Sequence, residues 1–178
     1  MATEQMDNTK ERLKRIKVDA VYGKKKHFNA ADRKNKIHYW IGIPLIVLNT
    51  LTGSLFLYEI TWQTKDWIKY IPLVFAVLAT LLSGFQTFLN LQKSSEGHRR
   101  VGNKYLVIMK KCDMLYGYIQ DGLLEKNDIV ERLGQISSEM EQVNAEAESF
   151  VTNKADYEFA RKGIELGEES YTTEELDL

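Results

Sequence analysis

The sequence predicts an all-α membrane protein, in which a two-span transmembrane helical hairpin joins an N-terminal juxtamembrane helix to a cytoplasmic helical hairpin or coiled-coil domain. The runs 39–58 and 70–92 contain no charged residue. At about 1.5 Å per helical residue, twenty residues reach roughly 30 Å, the thickness of bilayer hydrocarbon. The third observation is an apolar heptad spacing after residue 100, which is typical of helices that pack along one another.

The distribution of charge sets the orientation of the chain. Residues 1–38 carry eleven Lys/Arg against five Asp/Glu and residues 93–126 carry seven against four, whereas the connector 59–69 balances two against two. Because Lys and Arg collect on the cytoplasmic side of short loops, we expect both termini in the cytoplasm. The predicted segments are basic N-terminal and juxtamembrane helices (1–38), a transmembrane hairpin (39–92, with spans 39–60 and 70–92), a cytoplasmic helical domain (93–166) and an acidic, disordered tail (167–178).

The N-terminal segment predicts a helix near residues 8–21, with Leu13, Ile16 and Ala20 on one side. A basic stretch follows it, and no proline precedes Pro44. Since a proline inside a helix kinks or breaks it, its absence lets the basic stretch continue as one helix into the first span.

The cytoplasmic segment contains two apolar seams with alternating steps of three and four residues, separated by a break at Asp121 and Gly122. Such seams predict two helices that pack antiparallel across a turn. Thr152 and Asn153 are candidate caps for a further short helix through Ile164. The seam residues are Val101, Tyr105, Ile108, Cys112, Leu115 and Ile119 in the first helix, and Ile129, Leu133, Ile136, Met140, Val143, Ala147 and Phe150 in the second.

Motifs that carry catalysis are missing from the sequence. There is no glycine-rich phosphate loop, no His-Glu-x-x-His and no Cys/His cluster. His27, His38 and His98 are scattered and are interpreted as capping or interface residues, and lone Cys112 as a buried thiol. We therefore expect no enzyme, no metal site and no cofactor.

Polar residues of the second span fall on one helical face. Thr80, Ser83, Thr87 and Asn90 step by three and four residues, and Asn49 lies in the first span. Polar side chains avoid lipid, so this stripe has to face protein or water. One interpretation is packing within the hairpin. The other is that several hairpins assemble around an axis and the stripe lines a pore, which requires an oligomer.

Basic residues continue well beyond the second span, at Arg99, Arg100, Lys104, Lys110 and Lys111. They either reflect topology and contact with anionic headgroups, or bind a soluble anion. In a continuous helix the last two lie about 25 Å from the end of the span, more than a Debye length. This position suits a nucleotide or a single-stranded oligonucleotide, with Tyr105, Tyr116 and Tyr118 for stacking.

The run from Tyr22 to Gly42, YGKKKHFNAADRKNKIHYWIG, resembles the juxtamembrane motif of the SLATT effectors, two-transmembrane proteins of bacterial anti-phage defence. The resemblance extends over the layout of basic helix, hairpin and helical cytoplasmic domain. It implies a pore-forming effector of the bacterial inner (cytoplasmic) membrane, gated by a nucleotide signal from a partner nucleotidyltransferase. A Hailong-type effector, held by an oligonucleotide, is one specific candidate.

The leading hypothesis is an oligomeric ion channel that depolarises the membrane and arrests growth. Its expected partners are membrane lipid, further copies of the chain (a tetramer is one candidate), a nucleotide or single-stranded DNA or RNA oligomer, and the nucleotidyltransferase. The alternative is a non-conducting membrane adaptor whose seams dock a cytoplasmic partner. Gly97 and Gly102, just beyond the second span, are candidate hinges.

Overall fold

The computed structural model describes the backbone of residues 2–61, 67–68, 70–172 and 175, and side chains from residue 7 onward except those of residues 60 and 61 within these ranges. Most of these residues are helical and none of them is in a strand, which confirms the all-α fold class. The connector residues Trp62, Lys65 and Lys69 lie outside the described part of the chain. The helices are α1 (Ala2–Thr61), α2 (Tyr70–Leu89), α3 (Leu91–Gln120), α4 (Lys126–Ala147) and α5 (Lys154–Glu165).

The helices divide into two compact units. The core unit comprises Met1–Ala31 and Glu96–Leu178, and the hairpin unit comprises Asp32–Ser95. The sequence suggested a separate segment at 1–38. In the structure the first half of α1 lies in the same compact unit as α4, α5 and most of α3.

The apolar seams form the interior of the core unit. Leu13 and Ala20 of α1 pack with the buried seam of α3, and Ile129, Ile136 and Val143 complete the cluster from α4. The predicted burial of these seams is confirmed. The break between the two helices lies at Gly122, whose φ of 68° is a left-handed conformation that glycine adopts without strain.

α5 begins and ends with local caps. The backbone N–H of Asp156 donates to the Asn153 side chain, and the Asp156 carboxylate accepts from the N–H of Asn153, both at 2.9 Å. This reciprocal box confirms Asn153 as the cap. At the other end Gly167 has a φ of 82°, and the chain turns back so that Glu168 and Glu169 contact lysines of α1. The disordered tail predicted from residue 167 stays a prediction, and the structure places Glu168 and Glu169 in contact with α1.

The hairpin unit presents apolar side chains outward. Ile46, Phe85 and Phe88 are 67%, 59% and 85% exposed, and two of the described helices are long and apolar enough to cross a membrane. Ala79 is buried, and a Cβ atom added at Gly42 would lie 3.7 Å from Gln86 Nε2 on the other helix. Small residues therefore let the two helices approach, while their large side chains face the surroundings.

Asn90 interrupts the helix after the second span. Its φ of 42° separates α2 from α3, its N–H donates to the carbonyl of Gln86, and its own carbonyl accepts from Ser94. Asparagine tolerates this left-handed conformation better than most residues. The predicted hinge residues Gly97 and Gly102 instead lie within continuous α3, where aromatic rings occupy the space beside them. The helix break thus falls at Asn90.

Candidate pore face and anion-binding face

An open groove runs along the hairpin unit and contains four of the five predicted pore residues. Asn49, Thr80, Ser83 and Thr87 are all exposed in the single chain. The lining also includes small residues of both helices, namely Gly53, Ala76, Ala79 and Gly84. Asn90 is not part of this lining, because it occupies the helix break. The polar stripe is thus open on the surface of one protomer.

Four hydroxyl groups of the hairpin unit, those of Thr50, Thr52, Ser54 and Thr80, donate their protons to backbone carbonyls of their own helix. Thr80 Oγ1 donates to the carbonyl of Ala76 at 2.8 Å, and Thr52 Oγ1 donates to the carbonyl of Leu48 at 2.7 Å. Each bond stays within one helix and leaves the acceptor lone pairs of the hydroxyl oxygen available. A surface of such oxygens is suited to contact water or a partly dehydrated cation.

A basic face on α3 brings together three of the five predicted ligand residues. Arg99, Arg100 and Lys104 line a shallow depression together with Glu96, Asn103 and Val107. Arg100 Nε donates to Glu146 Oε1 at 2.8 Å, and Lys104 Nζ donates to the other oxygen of the same carboxylate. Both cations hold the pKa of Glu146 below its usual range, chiefly through these hydrogen bonds.

Lys110 and Lys111 do not belong to this depression. Both are exposed further along α3, and Lys111 pairs with Glu139 through two contacts of 2.5 and 2.7 Å. Lys111 lines a separate depression with Tyr118 and Arg132. The five predicted residues therefore form two groups along α3. In the first group, Arg100 and Lys104 are held together because both contact the Glu146 carboxylate.

Glu146 and Glu139 were not recognised from the sequence as members of these sites. Glu146 lies 46 and 42 residues from Arg100 and Lys104, and Glu139 lies 28 residues from Lys111. These separations are too large for local spacing to indicate contact. The sequence indicated these pairs only through net charge, because residues 93–126 are basic and the residues after 126 are acidic. The excess acidic residues after residue 126 are partly folded onto the basic helices, so Arg100, Lys104 and Lys111 are already paired within the chain.

The stacking role predicted for Tyr105 is wrong. This side chain is 3% exposed, and its hydroxyl donates to Asn144 Oδ1 at 2.7 Å. Burial also raises the pKa of Tyr105. Tyr116 is half-buried beneath the ammonium of Lys14, whereas half-buried Tyr118 lies beside Lys111. Only the latter two rings remain accessible to a base.

Two histidines that looked scattered in the sequence form a buried pair. The Nδ1 atoms of His27 on α1 and His98 on α3 are within hydrogen-bonding distance, and both side chains are almost fully enclosed. The rings of Tyr105 and Phe150 pack against them. Burial, followed by the proximity of His98 and Lys26, lowers the pKa of His27 to about 4, against a smaller opposing effect of Asp156. His27 is therefore neutral near pH 7.

The single cysteine is buried in the core, as predicted. Burial, and secondarily the charge of Asp113, raise the pKa of Cys112 to about 11, while Lys17 acts in the opposite direction. Since the thiolate is the reactive species, this thiol is inert. Within the described ranges, no group of three or more His, Cys, Asp and Glu side chains is arranged to hold a metal ion.

Comparison with known proteins identifies a family that the chain matches over most of its length. The family model described as SMODS and SLOG-associating 2TM effector domain family 4 matches residues 9–175. The matched range includes the basic stretch of α1, both apolar helices and α3 to α5. No curated protein and no solved structure matches the chain significantly.

Proposed function

Because the chain belongs to the SMODS and SLOG-associating 2TM effector domain family, we propose that it is an oligomeric pore of the bacterial inner membrane, with both termini in the cytoplasm. As a family member it is a membrane effector of anti-phage defence. In the proposal, a nucleotide or single-stranded oligonucleotide from a partner nucleotidyltransferase gates the pore. Opening depolarises the membrane and arrests growth.

The observation that carries the proposal is the exposure of the polar groove on a single hairpin. Asn49, Thr80, Ser83 and Thr87 lie among large apolar side chains that face outward. In a bilayer such polar groups are stable only against protein or water. Two helices cannot enclose a passage, so several copies are needed, with their grooves turned toward a shared axis.

The ligand site we propose is the basic face of Arg99, Arg100 and Lys104. Glu146 already supplies a carboxylate to two of these cations. A phosphate group carries more charge and more acceptor oxygens than a carboxylate, so it can replace Glu146 there. The exchange would gate the pore only if the ligand binds the open and closed states with different affinity.

A non-conducting adaptor is the alternative, and exposed apolar residues of the core unit favour it. Phe159 and Leu166 are 67% and 71% exposed, seven residues apart at α5 and its end. Clusters of exposed apolar side chains often mark a protein-binding surface. In this case the protein would recruit a cytoplasmic partner to the membrane and conduct no ions.

Conductance of the purified protein in liposomes separates the two functions. The pore proposal predicts ion flux that changes when a single-stranded oligonucleotide is added on the side of the core unit or removed by nuclease. A nucleic-acid absorbance at 260 nm in the purified protein would further support a bound ligand. Proteoliposomes that contain correctly inserted protein and stay silent with and without oligonucleotide would reject the pore.

A further inference from the structure

Two adjacent lysines of α1 are covered by the chain's own C-terminal segment. The side chains of Lys24 and Lys25 are only 11% and 12% exposed. Lys25 Nζ lies 2.5 Å from Glu168 Oε2 and 3.4 Å from Glu169 Oε1, and Lys24 donates to the other oxygen of Glu169. Two carboxylates thus neutralise two largely buried ammonium groups.

The end of α5 is built to deliver these carboxylates. Gly167 adopts its left-handed conformation, the N–H of Gly167 donates to Ile164, and the N–H of Glu168 donates to Gly163. This arrangement closes the helix and reverses the chain. At Gly163 a Cβ atom would overlap the Glu168 carboxylate and lie 2.8 Å from Lys25 Nζ. A side chain at this position would therefore displace the charged ends of Glu168 and Lys25 from their present contact.

α5 is attached to α1 through other contacts as well. The rings of Tyr22 and Tyr157 stack with centroids 5.6 Å apart. Asn29 Nδ2 donates to the carbonyl of Asp156 at 3.0 Å. These contacts do not involve the glutamates, so the segment after Gly167 can exchange while α5 remains in place.

We propose that Lys24 and Lys25 form a second anion site, which takes a phosphate-bearing ligand and which Glu168 and Glu169 occupy as an intramolecular competitor. A largely buried ammonium group needs a counter-charge, because leaving it unpaired is energetically costly. The glutamates therefore leave most readily when another anion takes their place. The site is separate from the basic face of α3 and does not depend on whether the protein conducts ions.

The test uses the full-length chain in detergent micelles with a nitroxide on Ser170→Cys, next to the glutamates. Ser170 is exposed, and the native Cys112 is removed as Cys112→Ala to exclude background labelling. Pyrophosphate is the probe. We expect it to increase nitroxide mobility in a saturable manner, whereas sodium chloride at equal ionic strength changes mobility little. An equal response to both salts would mean simple screening and would overturn the site.

Variants separate the site from general charge effects. Glu168→Gln with Glu169→Gln should give a mobile label without ligand. If the two glutamates occupy the lysine site of the parent protein about nine-tenths of the time, this variant should also bind pyrophosphate about tenfold more tightly in calorimetry. The matched control is Glu158→Gln with Glu165→Gln. It also removes two negative charges, but from α5 and not from the carboxylates that contact Lys24 and Lys25. This control should behave as the parent, and an equal gain in affinity there would contradict the proposal.

Lysine variants complete the test. Lys24→Gln with Lys25→Gln should abolish the response to pyrophosphate, and Lys24→Arg with Lys25→Arg, which keeps the charge, should restore it. Nanodiscs distinguish the source of the phosphate. Release of the label in phosphatidylglycerol discs without pyrophosphate assigns the site to headgroups, and release only on addition of pyrophosphate assigns it to a soluble ligand. An immobile label under all of these conditions would refute the competition.

Discussion

The Nδ1 atoms of His27 and His98 lie 3.0 Å apart in the buried contact between α1 and α3. At least one ring has to be neutral for this contact to be a hydrogen bond, since an imidazolium has no acceptor nitrogen. The surrounding apolar rings make protonation unfavourable, in agreement with the lowered pKa of His27. The pair therefore links the fold of the core unit to pH.

We expect the stability of the core unit to fall as the pH is lowered from about 6.5 toward 4. The folded state holds the pKa of His27 near 4, below the ordinary value of 6.5, so the unfolded state binds more protons in this range. The contribution of His27 is fully present above pH 6.5 and is lost on acidification, by up to about 3 kcal/mol. Thermal unfolding midpoints in detergent between pH 7.5 and 4.5 measure it.

The control for this prediction is the other histidine of α1. His27→Gln should flatten the pH dependence below 6.5, whereas His38→Gln, at a half-buried position outside the pair, should leave the slope as in the parent. The carboxylates titrate in every variant, so the difference between variants isolates the histidine. Identical slopes in all three proteins would contradict the assignment.

Gly97→Ala should destabilise the core unit by about 1–3 kcal/mol. The Phe150 ring occupies the space that a Cβ atom would enter, so either the ring or α3 has to shift. Gly134→Ala is the matched control on α4, where nothing lies within 4 Å of an added Cβ. It should stabilise by up to about 1 kcal/mol because alanine favours the helix. Denaturant unfolding of the two variants gives opposite signs if this is right.

Thr87→Leu should abolish conductance in liposomes while insertion remains intact. Thr87 is exposed along the polar groove, and leucine replaces its hydroxyl with an apolar group that repels ions. Thr50→Leu makes the same chemical change outside the groove, at a hydroxyl bonded to the carbonyl of Ile46. Equal currents from the parent and both variants would remove the groove as the conducting surface.

Glu146→Gln should strengthen binding of a fluorescein-labelled single-stranded DNA oligomer to the basic face. The substitution removes the carboxylate that competes for Arg100 and Lys104. In the opposite direction, Lys104→Gln should weaken binding and reduce the slope of log affinity against log salt by about 0.7, the value for one lost contact to a single strand. Fluorescence anisotropy at several salt concentrations measures both effects.

The control for the binding prediction is Glu141→Gln on the same helix. Glu141 is exposed and carries the same charge, so a general electrostatic effect would raise affinity equally in both glutamine variants. A gain confined to Glu146→Gln would place the oligonucleotide on the predicted face. Unchanged affinity in Glu146→Gln would exclude competition at that carboxylate.

Periodicity predicted the helices and their buried sides, because every third or fourth residue of a helix returns to one face. Val101, Ile108 and Ile129 are buried for this reason. Contacts between helices depend on how the helices align with one another, and no local spacing in the sequence indicates which residues will meet. The histidine pair joins residues 71 positions apart, and the Arg100–Glu146 pair joins residues 46 apart. The sequence indicated their charges and chemistry, and the packing of helices decided which of them meet.

Cys112 is the only cysteine of the chain, and it is enclosed between α1 and α3. Its raised pKa keeps the thiol protonated. Peroxide and other oxidants attack the thiolate, which hardly forms at this position. Cys112 is therefore protected from oxidation and from forming a disulfide with a second copy of the chain. Cysteines introduced one at a time can therefore map how copies of the chain meet, and Cys112→Ala removes the one remaining thiol.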